Sequence, residues 1–386
     1  RGWEALDWGM YTRMETLLGQ VRAIVAANPG TMKLEALTAS GDAEGFAPGK
    51  QAYATEVLVV TVEVGGPAAD PAGKARVLAN YGEHAREVIT SEIALRLLTT
   101  LASEDGIKAA MGGGAAGDQA VAALKNTVLK IIPMEATHSR KMVEAGDVCR
   151  RVNGRGVDPN RNWDWDWGVR EKDYSPTEEY GGPRAFSEPE VKIIHELVAS
   201  WRPHAWVNVH SGMAAMFSPL DYVTEVAPDY DLHNFRVLGH IQEHFCSECL
   251  IGSGGATVGY KAHGTAVDYM HNVMKIPFTT TWEVYGDTEA HYDDCVRMFN
   301  PLSRERYEVE VENWSKALLA TVRLLPLNRA VPAYEGWQDP GPAAPFPFKR
   351  VKGLGSKLEQ KARRMMDAVG QGGPRAGGGA APAVAA

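Results

Sequence analysis

The chain has 386 residues, 45% hydrophobic and 23% charged, with a formal net charge of -8. That is an ordinary globular balance with length enough for a large core, and the excess of acid excludes nucleic-acid binding by bulk charge. No apolar run reaches the roughly 18 residues that a membrane-spanning helix needs.

Residues 3–27 place Met14, Leu17, Leu18, Val21 and Ile24 at helical spacing, and Asn28-Pro29-Gly30 ends the run. Residues 57–64 are a β-branched strand, and Asp70-Pro71-Ala72-Gly73 is a turn. Residues 75–80 fit a short buried strand, and residues 88–101 return to helical period. The Gly/Ala-rich stretch 112–117 reads as a surface loop; it is no phosphate-binding loop, because no Lys-Ser/Thr follows. Strands are expected at 128–134, 205–209 and 278–284, and helices at 232–245, 265–274 and 303–325. Ser187-Glu188-Pro189-Glu190 reads as a capping box opening a helix that runs to Trp201. Alternation of strands and helices predicts an α/β fold with a mixed parallel/antiparallel central sheet flanked by helices on both faces.

Two units are expected: residues 1–340, and a tail over 341–386. The tail is Pro-rich, then basic and loosely amphipathic, then Gly/Ala-rich; from residue 349 it carries a net +6 against -14 for the rest. Its basic segment could dock on an acidic partner or membrane surface.

Between the strand 75–80 and the helix 88–101 lies NYGEHAREVITSE, with His84 and Glu87 in H-x-x-E spacing. An imidazole and a carboxylate so spaced can close on one Zn²⁺. By itself the pattern also fits a solvated loop, and a zinc site for catalysis needs a third protein ligand, an open position and a base. His210 ends the strand WVNVH and is the best third ligand by position; Glu283 lies near the end of FTTTWEV. In open α/β sheets such strand ends face the ligand crevice. Asn160-Arg161 offers a bidentate clamp for a carboxylate, and Arg150-Arg151 a cation for a developing oxyanion.

Taken in order, GEHARE, RVNGRGVDPNRNW, a strand ending HSG, a Tyr before a GTAVD helix, and TTTWE resemble the zinc metallocarboxypeptidases of the carboxypeptidase A/B type, with a plant-type, green-alga-like cast. The resemblance spans about residues 5–328 and implies a carboxypeptidase-like (phosphorylase/hydrolase-like) fold and one zinc ion held by His84, Glu87 and His210. It implies Glu283 as general base and Arg151 as stabiliser of the oxyanion. Asn160 and Arg161 would hold the terminal carboxylate of a peptide or protein, Tyr260 would close over it, and Arg86 would lie near the penultimate residue. Val267 matches the floor of the side-chain pocket, which implies a preference for neutral or hydrophobic C-terminal residues. Gly212 stands where the family often has an aromatic residue, so the pocket is expected to be wider there. A catalytically inactive member that binds peptides through the same cleft is the alternative.

Two further features compete. His240-Ile241-Gln242-Glu243-His244 spells an inverted zinc-protease pattern, H-x-x-E-H, followed by Cys246 and Cys249. On the structural reading those cysteines are disulfide-linked to Cys149 and Cys295. The even cysteine count and the acceptor pattern Asn313-Trp314-Ser315 favour a secreted or endomembrane, vacuolar placement over a cytoplasmic one.

Overall fold

The computed structural model describes residues 5–67, 73–291 and 293–340. Most of the turn expected at 70–73, and the whole 341–386 segment with its docking role, lie outside the described residues.

The first helix, α1 (Met14–Ala27), starts later than its periodicity suggests. Residues ahead of it are held in a turn in which Asp7 O accepts from both Met10 N and Tyr11 N, and the Tyr11 hydroxyl donates to Pro301 O. Strand β1 (Met32–Ser40) and β2 (Ala54–Val62) pair antiparallel. Next come β3 (Ala75–Tyr81), α2 (Val88–Leu101), α3 (Glu104–Ala110), α4 (Gly114–Lys125), β4 (Thr127–Ile132) and α5 (Thr137–Glu144). The stretch read as a loop at 112–117 is therefore a loop only to Gly113. The helix begins at Gly114 because Ala120, Val121 and Leu124 have a core to pack into.

Helix α6 (Pro189–Trp201) opens on Glu188 without a side-chain cap. The expected capping box does not form: the Ser187 hydroxyl donates instead to Glu188 Oε1 at 2.6 Å. The rest of the described chain supplies β5 (Ala205–His210), β6 (Met213–Ser218), α7 (Leu232–Phe245), β7 (Leu250–Ser253), α8 (Gly254–Thr257), α9 (Ala266–Asn272), β8 (Phe278–Tyr285), α10 (Cys295–Phe299) and α11 (Arg304–Leu324). The candidate glycosylation asparagine, Asn313, lies inside α11, with its side-chain amide donating to Phe245 O.

Among the described residues the strands form one mixed sheet of order β1-β2-β4-β3-β5-β8-β6-β7. Its middle, β4-β3-β5-β8, is parallel; β1, β2 and the β6–β8 pairing are antiparallel. Successive residues of a strand face opposite sides of the sheet. Val77, Ala79 and Tyr81 accordingly join one apolar cluster with α1, α2, α4, α7 and α11, while Leu78 joins a second cluster with α6 and α9. Both faces are thus covered by helices, which a parallel centre requires. Strand β3 is followed in sequence by β4 on one side and then by β5 on the other. The crevice beyond β3 and β5 is consequently the place where strand order reverses, the usual seat of a ligand.

Candidate metal centre

Gly82 turns the chain out of β3 at φ +68°, and a Cβ there would come within 2.9 Å of Ser91 Oγ and 3.2 Å of Met134 Cα. The following turn, closed by Glu87 N donating to His84 O, stacks residues three apart and leaves Glu87 as the N-terminal cap residue of α2. His210, at the end of the neighbouring β5, completes the group. The ligand atoms of His84, Glu87 and His210 all lie within 4.8 Å of one another.

His84 Nδ1 is 2.8 Å from Glu87 Oε1, His210 Nδ1 is 3.1 Å from Glu87 Oε2, and the two Nδ1 atoms are 3.1 Å apart. Two ring nitrogens this close cannot both direct a hydrogen at each other. A cation shared by both lone pairs and the carboxylate satisfies all three. The outer edges agree: His84 Nε2 lies 3.0 Å from Asp158 Oδ1, and His210 Nε2 lies 3.0 Å from Glu83 Oε2. Carboxylates there favour hydrogen on Nε2 and leave Nδ1 free to ligate. Two imidazoles and one carboxylate, with room beside them, are a donor set that suits catalytic zinc. Burial works against the charge on Glu87, yet His84 and His210 hold its carboxyl well below the usual range.

His84, His210, Arg151, Asn160, Arg161, Tyr260 and Glu283 border one cavity. Arg151 reaches it by a fork onto Asp158 Oδ2, at 2.9 and 2.8 Å, which leaves Nη1 3.3 Å from His84 Nδ1. Arg150 points elsewhere, donating to Val152 O and Asn153 O. Asn160 spends its side-chain oxygen on Ala266 N, so its amide NH₂ remains for a ligand. Arg161 donates to Asn160 O and lies 3.5 Å from Glu179. Burial, then the negative charge of Glu87, pushes Glu283 up to about 8 against His210 and Arg151; its Oε2 is buried without a hydrogen-bond partner.

Two expected residues sit off the cavity wall. Arg86 does not line it: its guanidinium lies 4.3 Å over the Phe299 ring, ion-paired with Glu178 at 2.8 Å and donating to Cys149 O. Val267 is buried on α9 and does not line the cavity. The wall there is instead Phe217, Asp221, Gly254, Val258 and Thr281. Nor does Gly212 open extra room, because a Cβ on it would meet the Phe299 ring at 2.8 Å.

Three contributing carboxylates had no role in the sequence reading. Asp158 was legible in principle, two residues before Asn160 in the same run. Glu83 is adjacent to His84, but nothing in the spacing sends its side chain to His210. Asp221 follows β6, a strand the sequence reading did not identify. Asp221 Oδ1 is buried with no hydrogen-bond partner, and a Cβ on residue 254 would collide with it, so Gly254 makes its space.

The competing H-x-x-E-H gathers no site. His240 and His244 stack at 4.1 Å on α7, and burial together with His244 pushes His240 down to about 4. Among the described residues the triad at His84 is the group able to hold a metal. The cysteines pair Cys149–Cys295 and Cys246–Cys249, which corrects the pairing expected between the two sets. Cys246 and Cys249 are instead joined across the turn after α7, where Cys249 N donates to Cys246 O.

Comparison with known proteins gives a concordant result. The profile of the zinc carboxypeptidase family matches residues 49–315. Carboxypeptidase A2 of Rattus norvegicus is 27% identical over 233 residues, covering 57% of this chain and 49% of that protein. Carboxypeptidase A1 of the same species is 41% identical over 135 residues, 33% of this chain and 32% of that protein. The chain spans about half the length of the A2 relatives it matches. Among solved structures, carboxypeptidase A from Helicoverpa armigera superposes with a TM-score of 0.63 at 17% identity, covering 83% of this chain and 75% of that one. Bovine thrombin-activatable fibrinolysis inhibitor, solved with a tick carboxypeptidase inhibitor, gives 0.62 at 18%, covering 83% and 98%. At those identities the likeness concerns the fold.

Proposed function

Because the chain belongs to the zinc carboxypeptidase family, we propose that it hydrolyses the C-terminal peptide bond of peptides or proteins. The observation that carries this reading is that Glu283 lines one cavity together with two of the three metal-ligating residues and Arg161. A base that shares a cavity with a metal site and an anion clamp suits a substrate whose last carboxylate is clamped while its last amide meets the base.

When bound by His84, Glu87 and His210, zinc supplies Lewis acidity that polarises the scissile carbonyl and acidifies water. Glu283 accepts the proton of the attacking water and returns it to the leaving amine. The Arg151 guanidinium, beside His84, faces the negative charge that develops on the carbonyl oxygen. Arg161 and the amide of Asn160 take the terminal carboxylate, and Tyr260 covers it. Leaving the buried Arg161 without its anion costs several kcal/mol, which favours chain ends over internal bonds.

The preference for neutral or hydrophobic C-terminal side chains rested on Val267, which is off the wall. The buried, unpartnered Oδ1 of Asp221 on that wall supports a side chain that brings a donor or a positive charge, Lys or Arg, in its place. Two disulfides among the described residues support an oxidising compartment, secreted or endomembrane.

The test is incubation with a library of peptides bearing free or amidated C-termini, with and without a chelator, reading products by mass spectrometry. Stepwise loss of C-terminal residues from free-acid peptides, abolished by the chelator, is expected. Release of internal fragments overturns the exopeptidase reading. Tight binding of free-acid peptides without release from zinc-loaded protein would assign the inactive, peptide-binding alternative.

A further inference from the structure

Each imidazole of the triad has a carboxylate at its outer nitrogen, but the two carboxylates are held differently. Asp158, behind His84, is neutralised by the fork from Arg151, with Arg161 at 3.9 Å. Glu83, behind His210, forms no ion pair with Lys or Arg among the described residues; its partners are His210 and a neutral amide.

That amide belongs to a side-chain rack built on the sheet register. Asn208 and His210 are two apart on β5 and share a face, and Asn80 of β3 is the register partner of Asn208. Asn80 Nδ2 donates to Glu135 Oε2 at 2.6 Å and to Asn208 Oδ1 at 3.0 Å. With its oxygen engaged, Asn208 presents Nδ2 to Glu83 Oε2 at 2.7 Å. The same oxygen lies 3.0 Å from His210 Nε2, an ion-pair contact outside hydrogen-bond alignment, and that buried nitrogen has no hydrogen-bond partner among the described residues. Asn80, Glu83, Asn208, His210 and Glu135 are all at most 2% exposed, so the network is closed to bulk solvent.

We infer that Glu83, held by the Asn80–Asn208 pair, is the positioning residue that fixes His210 with hydrogen on Nε2 and turns its Nδ1 onto the metal. Its carboxyl, which forms no ion pair with Lys or Arg among the described residues, faces His210 and strengthens that ligand. An outer-shell carboxylate both fixes the tautomer and raises ligand basicity. This inference rests on the metal triad and not on the peptidase reading, and its readout is metal binding.

Glu83→Gln keeps the shape and an acceptor oxygen while removing the charge; Glu83→Ala removes both. Chelator competition on the full chain measures zinc affinity, and thermal melting of the chelator-treated protein measures the fold. Zinc affinity is expected to fall ~10- to 100-fold in Glu83→Gln and further in Glu83→Ala, with the metal-free melting temperature of Glu83→Gln unchanged. The absorption bands of the Co²⁺-loaded Gln variant are expected to shift, because the His210 ligand is altered. Zinc affinity within about twofold of the parent in Glu83→Gln, against the tenfold or more expected of such partners, overturns the inference. So does a loss of metal-free stability with zinc affinity intact, since that would leave Glu83 a packing role only. Should Glu83→Ala fail to fold, the Gln variant decides alone.

Discussion

His210 and Glu283 are register partners in the parallel pairing of β5 and β8. A metal ligand and the carboxylate assigned to proton transfer are therefore spaced by one rung of the same backbone ladder, and no loop intervenes. Glu283→Gln should bind zinc in full, melt like the parent, and lose turnover by ~10²- to 10⁴-fold. Zinc content by elemental analysis beside kcat on a free-acid peptide checks both halves. Normal turnover in that variant would remove Glu283 from the mechanism.

Arg161 is the buried cation with the longest contacts to its carboxylates, 3.5 Å to Glu179 and 3.9 Å to Asp158. Arg161→Ala should raise KM for free-acid peptides by roughly 30-fold or more, the effect of truncating one partner of a buried charge pair. It should leave the weak reaction with amidated peptides unaltered. Paired KM measurements on the two substrate forms give the ratio.

On the proposed reading, Asp221 selects the residue that is released. Burial pushes its carboxyl up to about 6, against the Thr265 hydroxyl, Arg161 and His210. Its ionised fraction rises as pH passes that value, so the ratio of kcat/KM for C-terminal Arg over Leu should climb between about pH 5 and 7. In Asp221→Leu the ratio should invert and lose its pH dependence. A pH-independent preference for Leu in the parent would show that Asp221 takes no part.

Glu190 offers a pH effect on stability alone. It accepts from the Tyr53 hydroxyl and from Asn153 Nδ2, yet burial pushes its carboxyl up to about 7. A group that holds its proton more tightly folded than unfolded adds stability at low pH and loses it as pH rises through the folded value. Between about pH 4.5 and 7 the melting temperature should carry a downward contribution, of order 3 kcal/mol at 1.36 kcal/mol per pH unit. Glu190→Gln should flatten that slope and melt higher than the parent at pH 8.

The Cys149–Cys295 bridge spans 146 residues of sequence, and Cys149 O also accepts from Arg86. In the chain-entropy account, closing so long a loop adds about 4–5 kcal/mol. The Cys149→Ser/Cys295→Ser double variant should melt several degrees lower than the parent, and reducing agent should then have little further effect.

The interior strands were legible because each is a short run rich in apolar and β-branched residues, largely buried on both faces; β3, β5 and β8 fall within a residue or two of their expected bounds. The edge was not. Strand β1 is buried only at Met32 and otherwise mixes half-buried and exposed positions, with Lys33, Glu35 and Thr38 among them, and four-residue β7 shows no period at all. The ligands and the clamp were readable because each sits at a strand exit or in a short run of chemically distinctive residues. Val267 was misplaced because a helix residue's facing depends on how α9 seats on the sheet, which local spacing does not encode. Asp221 and Glu83 act through contacts set by tertiary geometry, and no motif announces them.

The same long bridge alters what a protease can do to this protein. Arg170 and Lys172 are exposed in the stretch between the two cysteines. A cut there severs the backbone between the first two metal-ligating residues and the third, yet the sulfur bond still ties the halves together. A nicked molecule would migrate as one band without reductant and as two with it. Its two halves would remain tethered and able to stay docked across the paired strands β3 and β5.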